Sequence, residues 1–264
     1  MRLALAEEIA SPRNPLTTRV IVNRLWQILF RRGIVRTVDN FGKLGEAPTH
    51  PELLDWLATR FVEESWSVKR MMRLLATSQA YRMSDAANPA DPNNDAFHHI
   101  PLRRLEAEEI RDSILLAAGS LDEKMTGPSV PVFYAHDTGA TKGDRPKGPL
   151  DGNGRRSVYL EIRRNATHPF LEVFDVYKPT STRGQRDVTT VPAQSLALLN
   201  SPFVIEQAAK WAQKEPDVDS MFLRVFGRKP SGADRDSALT FLNTQGRANL
   251  IHALWNLKEF LYVR

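Results

Sequence analysis

The helical class of this chain is first evident in the segment NPLTTRVIVNRLWQILFRRG, residues 14–33. Its apolar residues recur at helical spacing and are Leu16, Val20, Leu25, Ile28 and Leu29. This spacing predicts a helix over residues 15–30. Gly33 follows two arginines, an order typical of a helix end, because cations are favoured near helix C-termini and glycine tolerates the left-handed backbone beyond them.

Similar signals predict further helices before and after a stretch rich in Gly and Pro. Thr49 is a candidate cap with Glu52 three residues on and Pro51 in the first turn, and Ser67 is a candidate cap for the next helix. A polar loop is predicted at 88–95 because of its prolines. Ser201-Pro202 should break a helix that begins at Pro192. The other predicted helices cover residues 104–118, 203–214, 219–226, 232–244 and 247–262, with a helical turn at 170–174.

The middle of the chain has a different composition. Ten of the 28 residues from Gly127 to Gly154 are Gly or Pro, which predicts a long irregular loop. Val158, Leu160 and Ile162 then alternate with polar residues, the pattern of a strand. We therefore predict a mainly α, multi-helix globular domain with a small β element. It would be one domain over 1–264, with a helical region at 1–126, an irregular loop at 127–154, and a strand followed by helices at 155–264.

Composition excludes several classes of function. The chain has 264 residues, 42% of them hydrophobic and 25% charged, as in a globular protein. It has no cysteine, so it cannot form disulfides, thiolate metal sites or covalent c-type haem. No apolar run is long enough for a membrane span, and the opening MRLALAEE reads as an amphipathic helix, so neither a span nor a signal peptide is expected.

The first candidate site lies on the 15–30 helix. The net charge is +5, and six arginines without any acid lie between Arg13 and Arg36. Spacings of four and three place Arg19, Asn23 and Trp26 on one helix face beside Arg24. Guanidinium groups recognise carboxylate, sulfate or phosphate, and indole rings stack, so this face could bind an anion or a sugar. The alternative is a buried Trp whose polar neighbours fix adjacent loops.

The second candidate site is the Arg-rich region 155–194. Next to a Gly-rich loop and a helix entrance it could hold an anionic ligand, and the alternative is that its side chains bind backbone carbonyls of the long loop. The candidate anion-binding residues there are Arg156, Arg163, Arg164, His168 and Arg183.

Recognised catalytic or metal motifs are missing from the sequence. The six histidines show no His-x-x-x-His or His-Glu-x-x-His spacing, so no metal site is assigned, although ligands from distant segments stay open. No nucleophile elbow, phosphate loop or dinucleotide fingerprint occurs. The charged run 103–112 is interpreted as salt-bridge lacing, with Glu108 paired to Arg104 or Arg111 within the helix. Nucleic-acid binding is disfavoured because no recognition motif accompanies the positive charge.

The chain resembles a planctomycete-specific domain of unknown function that follows a cytochrome c-like domain in large exported proteins. The resemblance runs over nearly the whole chain and is carried by NPLTTRVIVNRLWQ (14–27), FG (41–42), HPELLDWL (50–57), WSVK (66–69), YR (81–82), RRLEAE (103–108), IRD (110–112), RSVY (156–159), VTTVPAQSLALLN (188–200) and EFLYV (259–263).

The resemblance implies a context and no reaction. It implies export, a haem-bearing neighbour domain or partner, and work on complex organic or sulfated material, with no cofactor on this chain. Since no signal and no Cys-x-x-Cys-His occur here, we expect either a stand-alone copy or the C-terminal piece of a longer protein. Our leading interpretation is an accessory recognition or assembly domain. The alternative is an enzyme acting on anionic, sulfated polysaccharide through the 155–194 region.

Overall fold

The computed structural model describes residues 1–131, 148–162, 168–177 and 182–263. It is 54% helical, and the described residues contain twelve α-helices and a two-stranded sheet, which confirms a mainly α fold with a small β element. None of the described helices combines the length and the apolar character that a membrane span needs. The described chain forms two compact units, and the prediction of one domain over 1–264 stays a prediction.

Unit 1 comprises Met1–Arg103 together with Arg183–Gln185. Its helices are α1 (Arg2–Ile9), α2 (Pro15–Phe30), α3 (Pro51–Glu63) and α4 (Val68–Ala76), followed by a 3-10 turn at Ala80–Arg82. α2 packs against α3 and α4. α1 adds nothing to the core of the described chain, because none of its eight residues is buried.

Local signals set the bounds of α2. Asn14 caps it by accepting hydrogen bonds from the amides of Leu16 and Thr17, and Pro15 occupies the first turn. The helix ends at Arg31, which itself takes the left-handed conformation at φ 68°. Gly33, predicted as the stop, has a different role. A Cβ there would lie 2.7 Å from Nδ2 of Asn23, so glycine allows a close approach of the chain to α2.

The buried face of α2 differs from the predicted stripe. Leu25 and Leu29 are buried as predicted, but Leu16 and Ile28 are more than half exposed. The unit 1 core instead takes in the two large aromatic residues of the helix. Its buried members are Val22, Leu25, Trp26, Leu29, Phe30, Ile34, Val35, Leu54, Leu57, Phe61, Met71, Leu75, Phe97 and Ile100.

Of the two helix caps predicted for α3 and α4, one is confirmed and one is wrong. Ser67 caps α4 by accepting from the Arg70 amide, as predicted. The cap assigned to Thr49 is wrong, because α3 begins after His50 and the Thr49 hydroxyl donates to the carbonyl of Ile34 at 3.3 Å.

Unit 2 comprises Arg104–Thr182 and Arg186–Val263, within the described ranges. Its core forms where α8 packs against α11 and α5, and the rings of Trp211 and Trp255 stack with centroids 5.9 Å apart. The two strands are β1 (Arg103–Arg104) and β2 (Tyr262–Val263). The helices are α5 (Ala107–Ala118), α6 (Pro169–Val173), α7 (Pro192–Asn200), α8 (Pro202–Ala212), α9 (Val218–Phe226), α10 (Gly232–Gln245), α11 (Arg247–Trp255) and α12 (Lys258–Leu261).

The strand predicted from Val158, Leu160 and Ile162 is wrong within the described residues. Ser157–Tyr159 is a 3-10 turn, and only Leu160 forms a single bridge, to Val130. Val158 and Ile162 are more than 70% exposed, whereas Leu160 is buried. The alternating apolar residues therefore do not form a strand. Backbone pairing is limited to Leu160, which is buried, and Val158 and Ile162 on either side of it are exposed. Of the predicted 127–154 loop, residues 132–147 lie outside the described chain.

Candidate functional site

The four α2 residues predicted to bind an anion do not share a common task. The Nε of Arg19 donates to Asp55 at 2.6 Å, and this hydrogen bond lowers the pKa of the Asp55 carboxyl. The guanidinium of Arg24 donates to the backbone carbonyl of Arg183 at 3.4 Å, which brings these two candidates together. Both contacts fix the chain in place and use donors that an anion would need.

Asn23 has a purely structural role in unit 1. It is fully buried, its Nδ2 donates to the carbonyl of Val35 and its Oδ1 accepts from the amide of the same residue, both at 2.9 Å. The Asn23 side chain thus satisfies both backbone hydrogen-bonding groups of Val35, in the turn after α2.

The arginines of the 155–194 region are engaged with the protein wherever they are described. Arg155 is 8% exposed and donates to the carbonyls of Lys124 and Thr126 at 2.6 and 2.7 Å, with its guanidinium 4.2 Å from the ring centre of Tyr159. Arg156 is exposed and contacts the sulfur of Met125 at 3.9 Å. Arg163 and Arg164 lie outside the described residues.

The predicted pairing of Glu108 within α5 is wrong. Glu108 binds Arg186 of unit 2 in a two-pronged bridge at 2.7 and 3.0 Å. Arg104 contacts Asp175 at 2.7 Å. Local pairing was expected for this charged run, but Glu108 and Arg104 each find a partner far along the chain.

Arg111, which the sequence analysis interpreted as part of salt-bridge lacing in the run 103–112, is the centre of a buried polar cluster in unit 2. It is fully buried and donates to the carbonyls of Asp151 and Arg155 at 2.7 and 2.9 Å. It also donates to the Ser157 hydroxyl and to the Asp112 carboxylate, at 3.0 and 3.1 Å. Gly152 is required beside it, because a Cβ there would lie 2.7 Å from the guanidinium. Arg111 thus anchors the turn between Asp151 and Arg155.

His168 lies in the same surroundings. It is 6% exposed, and burial, assisted by the positive charge of Arg111, lowers its pKa to about 4. A neutral, enclosed imidazole cannot hold an anion by charge. The placement of His168 and of the engaged arginines therefore accords with the second of the two interpretations of this region, in which side chains bind the chain's own carbonyls.

A cleft of about 420 Å³ lies wholly within unit 1. It forms where α2, the start of α3, the 3-10 turn and the loop before Ile100 meet. Its lining residues are Trp26, His50, Leu53, Gln79, Ala80, Met83, Ala96, Phe97 and His98. No lysine, arginine, aspartate or glutamate is among these described residues. The cleft therefore suits an uncharged ligand.

Trp26 is the one α2 candidate that lines this cleft. It is 5% exposed, stacks on Phe30 with ring centroids 3.9 Å apart, and meets Phe97 edge-on at 5.1 Å. Its indole Nε1 is buried and has no hydrogen-bond partner among the described residues. Buried indole N–H groups usually find a partner, so this one is an unused donor.

The loop that supplies the other wall is tied down by side chains. Asp91 accepts from the amides of Asp95 and Ala96, both at 2.9 Å, and these bonds lower its pKa. Arg32 and Arg36 both bind Asp95. Two of the six arginines noted in the sequence thus hold a wall of the cleft instead of binding a ligand.

Strain is stored in that same wall. Phe97 has φ of 50°, a left-handed conformation that is costly for a bulky residue. Such residues persist where the surrounding contacts hold them, and they cluster at ligand sites. Asp91 also lies 3.4 Å from Nδ1 of His98, while Nε2 of His98 is buried without a partner in the described portion of the chain.

Comparison with known protein families shows which family this chain belongs to. Residues 1–242 match PSD1, a protein of unknown function (DUF1553). The chain belongs to this family. No curated protein and no solved structure gives a significant match. Membership of DUF1553 assigns no reaction to this chain. The arrangement of its side chains is therefore the basis for any proposal about its function.

The next feature of the DUF1553 chain is the grouping of its potential metal ligands. Among its described residues, no three His, Asp or Glu side chains come together as a metal-binding group. From the sequence, Trp26 was a candidate on α2, whereas the six histidines gave no recognisable spacing. The meeting of Trp26 and His98 with His50 in one cleft depends on tertiary packing, which no local spacing reveals.

Proposed function

We propose that this chain is an accessory recognition domain and that unit 1 binds a small uncharged ligand in the Trp26 cleft. The observation that carries the proposal is the unpartnered, buried indole N–H of Trp26 in the lining of a preformed cavity; within the described residues nothing accepts from it. Ligand pockets are mostly apolar cavities of ~300–1,000 Å³ with a few placed polar groups. The volume and the composition of this cleft fit that class.

Recognition without a reaction is favoured by what surrounds the cleft. Its polar members are two histidines and Gln79, and the strained Phe97 shapes its wall. An active site for polysaccharide cleavage would need an acid and a base placed across the scissile bond. The lining includes no carboxylate among the described side chains, so binding is the function that the geometry supports.

The biological setting of the proposal rests on the family resemblance. It supports an exported protein in which a cytochrome c-like domain or partner carries haem and this domain supplies recognition. The alternative of an enzyme for sulfated polysaccharide is not adopted. Of the described arginines in the 155–194 region, Arg155 binds backbone carbonyls and Arg186 binds the Glu108 carboxylate of the protein itself.

Ligand-observed NMR tests the binding function directly. The intact chain is screened against a mixture of small neutral, anionic and cationic ring compounds. Ala96 is exposed and lines the cleft, so Ala96→Trp fills it, and Ala87→Trp makes the same change at an exposed position of the loop outside the lining.

We expect saturation transfer to neutral rings in the parent protein and in Ala87→Trp, and its loss in Ala96→Trp. Transfer that persists in Ala96→Trp places binding elsewhere and contradicts the proposal. Absence of transfer to every compound in the parent contradicts it as well.

A further inference from the structure

We propose that the cleft takes a phenol-type ligand, an uncharged aromatic ring with one hydroxyl group that bridges Trp26 and His98. The inference rests on the proposed function and names its ligand class. The hydroxyl would accept from the indole N–H and donate to the imidazole Nε2. Each step depends on a separate feature of the cleft.

The donor side is set by Trp26. One face of its indole is covered by Phe30, and Phe97 meets it edge-on, so the ring is not free for stacking on a ligand. What Trp26 offers is its N–H, which nothing in the described chain accepts. A tryptophan N–H is a donor only, so it requires an acceptor oxygen or nitrogen from the ligand.

The acceptor side is set by Asp91. Its carboxylate is fixed by two backbone amides and lies 3.4 Å from Nδ1 of His98. A carboxylate accepts only, so it favours the imidazole tautomer with hydrogen on Nδ1. In that tautomer Nε2 is an acceptor, and it too lacks a partner among the described residues. One donor and one acceptor match a single hydroxyl group.

The walls decide between a phenol and a sugar. Six of the nine lining residues are apolar or aromatic, and Met83 adds a thioether, which favours contacts with aromatic rings. A pyranose would bring several hydroxyls against this surface. Each buried hydroxyl left without a partner weakens binding about 5- to 150-fold. A ring with a single hydroxyl avoids that cost.

Entry of the ligand includes a small movement of the wall. Both unpartnered atoms are closed off from water in the free protein. Met83 is 40% exposed and its unbranched chain can change rotamer, so it is a lining residue that can move.

The inference is tested by titration calorimetry with four probes: p-cresol, toluene, benzoate and methyl glucopyranoside. The variant Trp26→Phe keeps an aromatic ring and removes the N–H. Trp66→Phe is the matched control, because Trp66 packs against Phe61 in unit 1 and does not line the cleft. His98→Phe removes the acceptor and serves if Trp26→Phe does not fold.

We expect p-cresol to bind about 10- to 100-fold more tightly than toluene, since it gains two neutral hydrogen bonds and each has a net value of about three- to tenfold. Trp26→Phe or His98→Phe should each lower this preference by about three- to tenfold, and Trp66→Phe should keep it. Equal affinity for p-cresol and toluene overturns the inference. Tighter binding of the glucoside overturns it too, although loss of that binding in Ala96→Trp would leave recognition of an uncharged ligand standing. Tighter binding of benzoate overturns both the inference and the proposal of an uncharged ligand.

Discussion

His168 couples the stability of unit 2 to pH. Its imidazole is 6% exposed, and burial together with the charge of Arg111 lowers its pKa to about 4 from 6.5. A hydrogen bond to the carbonyl of Leu150 acts in the opposite direction. Nδ1 has no partner in the described residues, so Nε2–H makes that bond and the folded protein holds a neutral ring.

The sign of the effect follows from proton uptake. Above pH 6.5 the ring is neutral in both the folded and the unfolded chain. Below that pH the unfolded chain binds a proton that the folded chain excludes, so the free energy of unfolding falls until the folded pKa of about 4 is passed. The whole loss is about 3 kcal/mol, since each pKa unit corresponds to about 1.4 kcal/mol. About 2 kcal/mol of it falls between pH 7 and pH 5.

The assay is amide hydrogen exchange in α5, corrected for the intrinsic pH dependence of exchange, at pH 7, 6 and 5. These amides report the opening of the unit 2 core. His168→Gln keeps a side-chain donor for the Leu150 carbonyl and does not titrate. We expect the parent to lose about 2 kcal/mol more than the variant between pH 7 and pH 5. The same loss in both proteins, or a gain in the parent, would refute the reasoning.

Three further predictions concern buried polar groups, each read by hydrogen exchange in the unit concerned. Gln207 is fully buried, and neither its amide oxygen nor its amide nitrogen has a partner in the described chain. Gln207→Met should therefore leave the stability of unit 2 unchanged or raise it by up to about 2 kcal/mol. A loss of stability above about 1 kcal/mol would contradict this. Arg111→Met strands two carbonyls and should destabilise unit 2 by about 3–5 kcal/mol, whereas exposed Arg156→Met should change it by less than about 0.5 kcal/mol. Asn23→Ala breaks both bonds to Val35 and should lower the stability of unit 1 by about 2–3 kcal/mol; an unchanged value would argue against its structural role.

Helices with strong local signals were predictable from the sequence. α2 spans Pro15–Phe30 as predicted, because Asn14 and Pro15 fix its start within the segment itself. α5 (Ala107–Ala118) lies within the helix predicted over 104–118, and its residues Ile110, Ile114, Ala117 and Ala118 are buried. The start of α2 depends on contacts within one turn of the chain, and the buried face of α5 follows from a regular apolar spacing.

Predictions that needed tertiary knowledge were less successful. Leu16 and Ile28 fit the apolar period of α2 but lie exposed, since the period alone does not show how wide the contact with α3 and α4 is. Val158 and Ile162 alternate like strand residues, yet no neighbouring strand pairs along them in the described chain. Turn geometry around Gly152 and the anchor at Arg111 determine that segment instead.

The candidate site was predictable only in its individual members. Trp26 was named for its indole, and the alternative in which it is a buried ring beside structural polar residues matches its 5% exposure. The cleft itself joins Trp26 to His50 and to the 96–98 loop, whose position depends on Arg32 and Arg36. The arginine-rich sequence predicted an anion-binding site. Arg32 and Arg36 instead hold the loop that forms one wall of a cleft without charged lining residues.

The most direct test of the recognition cleft is the indole N–H spectrum of the ¹⁵N-labelled chain during titration with p-cresol. The chain has five tryptophans, and Trp26→Phe assigns the relevant signal. The account predicts that the Trp26 signal moves downfield as it gains an acceptor, while the signals of Trp211 and Trp255 in unit 2 stay in place. A Trp26 signal that does not move while p-cresol binds would contradict the claim that this cleft is the site of recognition.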